Sequence, residues 1–147
     1  MQIPMTDTTA FHLERFVEAQ DAGATYEHAI AELRNGHKRS HWMWFVFPQI
    51  AGLGFSETSR YYGISSLGEA RAYLADPVLG ARLRECAQVL LELPSNNPVR
   101  IFGGVDAQKL QSSMTLFIRA APREELFERV LEKFFDGVMD ATTDQLL

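Results

Sequence analysis

An all-α fold, a compact single-domain bundle of about six to eight helices, several of them short, is what this sequence predicts. Three observations predict it. Apolar residues recur at i, i+3, i+4 and i+7 in successive segments, the spacing that lines one face of a helix. Capping residues and prolines open these segments, and Asn-Gly, Gly or Pro closes them. Finally, 147 residues with 46% hydrophobic and 22% charged side chains suit one packed core, since a domain of roughly 100–200 residues needs no second.

The helical pattern starts with Leu13, Phe16 and Val17 and repeats with Tyr26, Ala29, Ile30 and Leu33, between a capping Thr25 and the stop Asn35-Gly36. Ser66 with Glu69 three residues on reads as a capping box, opening a helix with Leu67, Ala70 and Leu74 on one face that ends before Pro77. Asp76-Pro77 then caps and starts the next, whose face is the most regular in the chain: Leu79, Leu83, Cys86, Ala87 and Leu90, closed by Pro94. Asn97-Pro98 begins a short turn to Gly103, and Asp106 is read as the cap of a helix with Leu110, Met114, Phe117 and Ile118 inward. Lys109, Ser112 and Ser113 share a different face of that helix. Pro122 opens the last long helix, with Leu126, Phe127, Val130, Leu131 and Phe134 inward and Gly137 as its stop.

The segment SHWMWFVFPQI, 40–50, suits a buried strand or a buried helix equally by its apolar density. A helix capped by Ser40 and ended near Pro48 is expected, because a lone strand would leave its backbone groups without partners. No repeat or linker divides the chain, so 1–147 is read as one domain, with a flexible N-terminus expected over 1–9.

Composition excludes several functions. Nineteen acidic against fourteen basic residues give a net charge of −5, the wrong sign for a protein that holds nucleic acid by neutralising phosphates. The apolar run Trp42 to Phe47 is far shorter than the ~20 residues that cross a bilayer. With no leader at the start, the expected location is cytoplasmic and no membrane partner is expected. The single Cys86 has no internal partner and sits on an apolar helical face, where an inert buried thiol is expected.

Most chemistries lack their residues. His37 and His41 are four apart, but Lys38 stands where a His-Glu-x-x-His metalloprotease needs glutamate, so no metal is expected. Gly52-Leu53-Gly54 lacks the Lys-Ser/Thr of a phosphate-cradling loop, and no Gly-x-Ser-x-Gly elbow is present. No cofactor is implied.

Two features stand above this background. The segment 36–56 gathers Lys38, His41, Trp42, Trp44, Gln49 and Ser56 with two glycines, and tryptophans beside cations can stack on a ring while an anion is neutralised. The alternative is an aromatic core strip with a polar flank. The stripe Lys109, Ser112, Ser113 sets a cation and two hydroxyls near a helix N-terminus, where free N–H groups favour anions. The alternative there is an exposed helical face. Together they suggest a polar-aromatic cleft. Lys38 and Lys109 would hold the anion, Trp42 or Trp44 would stack, and Gln49, Ser56 and Ser112 would orient the ligand. No acid, base or nucleophile stands out, and His41 is the least poor candidate for proton transfer because imidazole titrates near neutral pH.

Four tracts carry a family resemblance: RFVEAQ at 15–20, HWMWFVFPQIAGLGFS at 41–56, EARAYLADPVLGARL at 69–83 and IFGGVDAQKLQSSMTLF at 101–117. In collinear order over nearly the whole chain, they resemble the bacterial family catalogued as domain of unknown function 1810. The resemblance implies an all-α fold and a tight homodimer, and it implies no function. Some members carry the label calpastatin, which this composition contradicts, because calpastatin is a disordered inhibitor and this chain is built to pack. Where that family has a His-Pro pair, this chain has Asp76-Pro77, and a helix cap is sufficient reason for Asp76. Two readings follow: a protein binding a small anionic, ring-bearing, nucleotide-like molecule in the cleft, or a non-catalytic homodimeric interaction protein whose aromatic strip is an interface.

Overall fold

The computed structural model describes residues 11–147, and the N-terminal stretch expected to be flexible lies outside them. The helices are α1 (Glu14–Asp21), α2 (Thr25–Arg34), α3 (Met43–Val46), α4 (Glu57–Tyr62), α5 (Leu67–Ala75), α6 (Leu79–Glu92), α7 (Pro98–Phe102), α8 (Gly104–Ala120), α9 (Glu125–Phe135) and α10 (Ala141–Leu146). Among the described residues there is no strand, only an isolated parallel bridge in which Ala51 N–H donates to the Ile64 carbonyl and Ile64 N–H to the Gln49 carbonyl, each at 2.8 Å. The fold is all-α, as the periodicity predicts.

Helix α8 is the centre of the bundle. Its side chains from Ser112 to Ile118 are all buried, and α5, α7, α9 and α10 pack around it. Helix α6 packs against α2, α5 and α9 through the face read from the sequence: Leu79, Leu83, Cys86, Ala87 and Leu90 are all buried. Burial pushes the Cys86 thiol up to about 12, so almost none of it is the nucleophilic thiolate near neutral pH.

The local signals act largely as expected. Asn97 Oδ1 accepts from the Val99 and Arg100 N–H groups at the start of α7. Asp76 Oδ1 accepts from Val78 and Leu79 at 2.9 Å each. Gly36 ends α2 at φ 70°, with His37 N–H returning to the Glu32 carbonyl, a Schellman closure. Ser66 accepts from Glu69 N–H, but the Glu69 side chain does not complete a capping box. Its carboxylate accepts instead from Ser65 N–H and Oγ–H at 2.8 Å and meets Arg15 at 2.7 Å.

Other expectations need correction. Segment 40–50 forms only the single turn α3. Ser40 does not cap it, because the Glu32 carboxylate takes the N–H of Arg39, the N–H and hydroxyl of Ser40 and the indole N–H of Trp42. Residues 39–42 are thereby tied to α2. At the other end Pro48 forces Phe47 out of helical geometry (φ −123°, ψ 75°). Thr25 is not the cap of α2 but its first residue, its hydroxyl donating to the Ala22 carbonyl. Asp106 lies inside the first turn of α8, turned toward two lysines, and α9 opens at Glu125, three residues beyond Pro122. Two short helices, α4 and α10, are capped by Ser56 and Asp140.

A buried ion pair fixes how α1 meets the rest. Arg15 and Glu69 are 6% and 2% exposed. The Arg15 guanidinium donates to the carbonyls of Phe11, His12, Tyr61 and Gly63 as well as to Glu69 Oε2, which engages all five of its N–H groups. The bonds to Tyr61 and Gly63 hold the chain just before the Ile64 bridge, and so anchor the stretch 49–54 across from it.

Candidate functional site: a cleft at the start of α8

Gly103 at φ 81°, a conformation costly for other residues, turns the chain from α7 directly into α8. Asp106, Lys109 and Ser112 then follow at three-residue intervals along one stripe of α8. The Asp106 carboxylate sits between two ammoniums, Lys38 Nζ at 2.9 Å from Oδ2 and Lys109 Nζ at 3.1 Å from Oδ1. Burial alone would raise the Asp106 pKa, but hydrogen bonds and charge from both lysines hold it below the ordinary value. Each lysine also rests on a tryptophan: Lys38 Nζ lies 5.0 Å from the Trp42 ring and Lys109 Nζ 4.0 Å from the Trp44 ring, within cation–π range.

One turn further, Ser112 Oγ lies 3.1 Å from both the Gln108 carbonyl and Asp140 Oδ2. The same Asp140 oxygen accepts from the N–H and hydroxyl of Thr143 at the start of α10. Asp140 Oδ1 takes no hydrogen bond from the described residues. The facing wall is the stretch after Pro48. Gln49 is 7% exposed, and its amide Nε2 is buried with no partner among the described residues.

Between these walls lies a cleft of about 270 Å³. Trp44, Gln49, Lys109, Ser112 and Asp140 form its polar-aromatic surface, and Leu53 and Val105 are apolar elements of its lining. A second hollow of about 340 Å³ lies beside His28, Asn35, His37 and Arg39. Its carboxylate, Glu32, is already engaged: burial works to raise its pKa, yet the donors from Ser40, Arg39 and Trp42 take it down to about 2. Among the described residues no three His, Cys, Asp or Glu side chains gather as a metal site would require.

Of the residues singled out in the sequence, Trp44, Gln49, Lys109 and Ser112 line the cleft. Lys38 stands behind them, joined to Lys109 through Asp106, with its side chain 7% exposed. The others are elsewhere. Trp42 is buried, its indole N–H bound to Glu32. His41 is exposed and outside the lining. Ser56 caps α4. Ser113 is fully buried, and its hydroxyl has no partner among the described residues. Asp140 and Thr142 also line the cleft, though neither is singled out in the sequence, and Asp106 is a partner of two lysines rather than the cap expected there. A signal for Asp140 is present: an Asp three residues before Thr143 is an N-cap pattern, although nothing local places it beside Ser112.

Residues 10–147 match the family described as "Protein of unknown function (DUF1810)". The chain belongs to the DUF1810 family. A solved structure similar to this DUF1810 chain is that of the conserved hypothetical protein Rv1873 from Mycobacterium tuberculosis, 48% identical, with a TM-score of 0.90 over 94% of this chain and 97% of that one. No curated protein matches the chain. Among the described residues, no helix of this DUF1810 protein is long and apolar enough to cross a membrane.

Proposed function

We propose that this DUF1810 protein binds a small molecule carrying one anionic group and a planar or apolar body, in the cleft between α8 and the stretch 49–54. The observation that carries the reading is Gln49, which lines the cleft and whose buried amide donor has no partner among the described residues: leaving it unpaired costs about 1–3 kcal/mol, and a ligand oxygen that the amide turns to meet recovers that energy. Lys109 adds charge. One of its three N–H groups serves Asp106, which leaves donors for a carboxylate or phosphate. Trp44, partly exposed on the wall, offers a ring to stack against. The volume of about 270 Å³ lies just under the roughly 300–1,000 Å³ of ordinary ligand pockets, so the ligand is the size of a nucleoside monophosphate or smaller. No catalytic step is assigned, since His41 stands outside this cleft.

The test is a thermal-shift panel of aromatic carboxylates, aromatic amino acids and nucleoside monophosphates against the wild-type chain and Lys109→Met. At least one compound should raise the melting temperature of the wild type and fail to do so for the variant. No shift by any compound at millimolar concentration would overturn the reading.

Self-association is the second reading, and one observation favours it. Phe55 is 86% and Val105 74% exposed, apolar side chains on and beside the residues lining the cleft, where an interface would cover them. Sedimentation equilibrium of the wild type and Phe55→Ser decides it: a dimer in the first and a monomer in the second supports a subunit contact there, and a monomeric wild type removes it.

A further inference from the structure

The cleft carries charges of both signs. Lys38 and Lys109 share Asp106, so that corner has one positive charge in excess. Asp140 contributes one negative charge, with Oδ2 engaged by Ser112 and Thr143 and Oδ1 taking no hydrogen bond from the described residues. The two corners are close. Ser112 follows Lys109 by three residues on α8, which sets their Cβ atoms about 5–6 Å apart, and Ser112 Oγ is 3.1 Å from Asp140 Oδ2. A polyphosphate seated against Lys109 would meet the Asp140 carboxylate within the same small volume, and like charges at that range repel. A molecule with one anion and one cationic N–H group meets complementary charge at both ends.

We infer that the ligand is a zwitterion of amino-acid size with an aromatic side chain, its carboxylate held by Lys109 and the unpartnered Gln49 amide and its ammonium by Asp140 Oδ1. The ring lies in the part of the cleft lined by Trp44, Leu53 and Val105. This assignment rests on the reading of the cleft as an anion-and-ring site and adds to it the role of Asp140. Gln49 Nε2 donates to the ligand carboxylate, and the ammonium donates to Asp140. Gln49 Nε2 and Asp140 Oδ1 otherwise take part in no hydrogen bond among the described residues.

Isothermal titration calorimetry with three probes separates the two claims: L-phenylalanine, 3-phenylpropanoate, which lacks the ammonium, and phenethylamine, which lacks the carboxylate. L-Phenylalanine should bind the wild-type chain at least roughly tenfold more tightly than either analogue, the difference one well-made charged contact supplies. In Asp140→Asn, whose amide oxygen can still cap α10, its affinity should fall to that of 3-phenylpropanoate, while 3-phenylpropanoate binds as before or better. Equal wild-type affinity for L-phenylalanine and 3-phenylpropanoate would overturn the zwitterion and leave the anion-and-ring reading standing. So would binding of an aromatic monophosphate with none of the three probes. Failure of every compound with a ring and an anion removes both. Should Asp140→Asn unfold, the three-probe comparison on the wild type still decides.

Discussion

Replacing Gln49 by leucine should leave the ligand-free protein about as stable as before or make it more stable, against the usual direction for a buried substitution. The side chain is 7% exposed, and its amide nitrogen is buried with no hydrogen-bond partner among the described residues. Its desolvation costs about 1–3 kcal/mol that leucine does not incur. Leucine has a different branching beside Trp44 and Leu53, and imperfect repacking costs up to about 1.5 kcal/mol. The balance runs from about 0.5 kcal/mol of destabilisation to about 3 kcal/mol of stabilisation, whereas a typical point substitution loses about 1 kcal/mol. Urea denaturation should show the midpoint nearly unchanged or raised at constant m, and Gln49→Met, unbranched, should behave alike. A loss above about 1 kcal/mol in both variants would mean that the amide holds the fold together, and the reasoning would fail. Stability gained at the expense of binding is the signature of a functional position.

Three further outcomes test the fold beneath the cleft. Glu69→Ala leaves the Arg15 guanidinium buried without its counter-ion and should cost about 3–5 kcal/mol in denaturation, while Glu125→Ala, which breaks the exposed pair with Arg129, should cost no more than about 0.5 kcal/mol; similar losses in the two would contradict the role given to Arg15. Leu83→Ala and Leu90→Ala, both on the fully buried face of α6, should each cost about 2–5 kcal/mol, and losses below about 1 kcal/mol at both positions would mean that α6 packs otherwise. Glu32 is held at about 2 in the fold against an ordinary 4.5, so its contribution is complete above 4.5 and is lost as pH falls toward 2. The wild type should lose stability across that window more steeply than Glu32→Gln, since Asp106 and Asp144, also lowered, decline alike in both proteins; parallel profiles would refute the part assigned to Glu32.

Much of this fold was legible because its signals are local. The face of α6 comes from spacing within one helix, and the starts of α5, α6 and α7 come from caps acting over two or three residues. Local signals mislead where a partner distant in sequence prevails. Ser40 has the chemistry of a cap, yet Glu32, eight residues earlier, takes its hydroxyl and N–H, and a helix over 40–50 shrinks to one turn. Glu69 has the position of a capping-box acid, but Arg15, 54 residues away, takes its carboxylate. The candidate site divides in the same way. Lys109 and Ser112 are neighbours by helical spacing, and their stripe could be read. The meeting of Lys38 with Lys109 depends on Asp106, and the nearness of Asp140 to Ser112 depends on how α10 folds back across α8. Burial separates Trp42 from Trp44, since both have the same neighbours in sequence and only Trp44 lines the cleft.

The central claim is that one small molecule occupies the space between Gln49, Trp44 and Lys109. Its most direct test is a set of ¹⁵N–¹H correlation spectra recorded while L-phenylalanine, phenylacetate and adenosine monophosphate are each titrated to millimolar concentration. With at least one of them, the Gln49 side-chain amide, the Trp44 indole and the Lys109 and Ser112 backbone signals should move together along one binding curve, while the Trp42 indole, bonded to Glu32, stays in place. If the Gln49 amide and the Trp44 indole hold still with all three compounds, the cleft does not bind a small molecule of this kind.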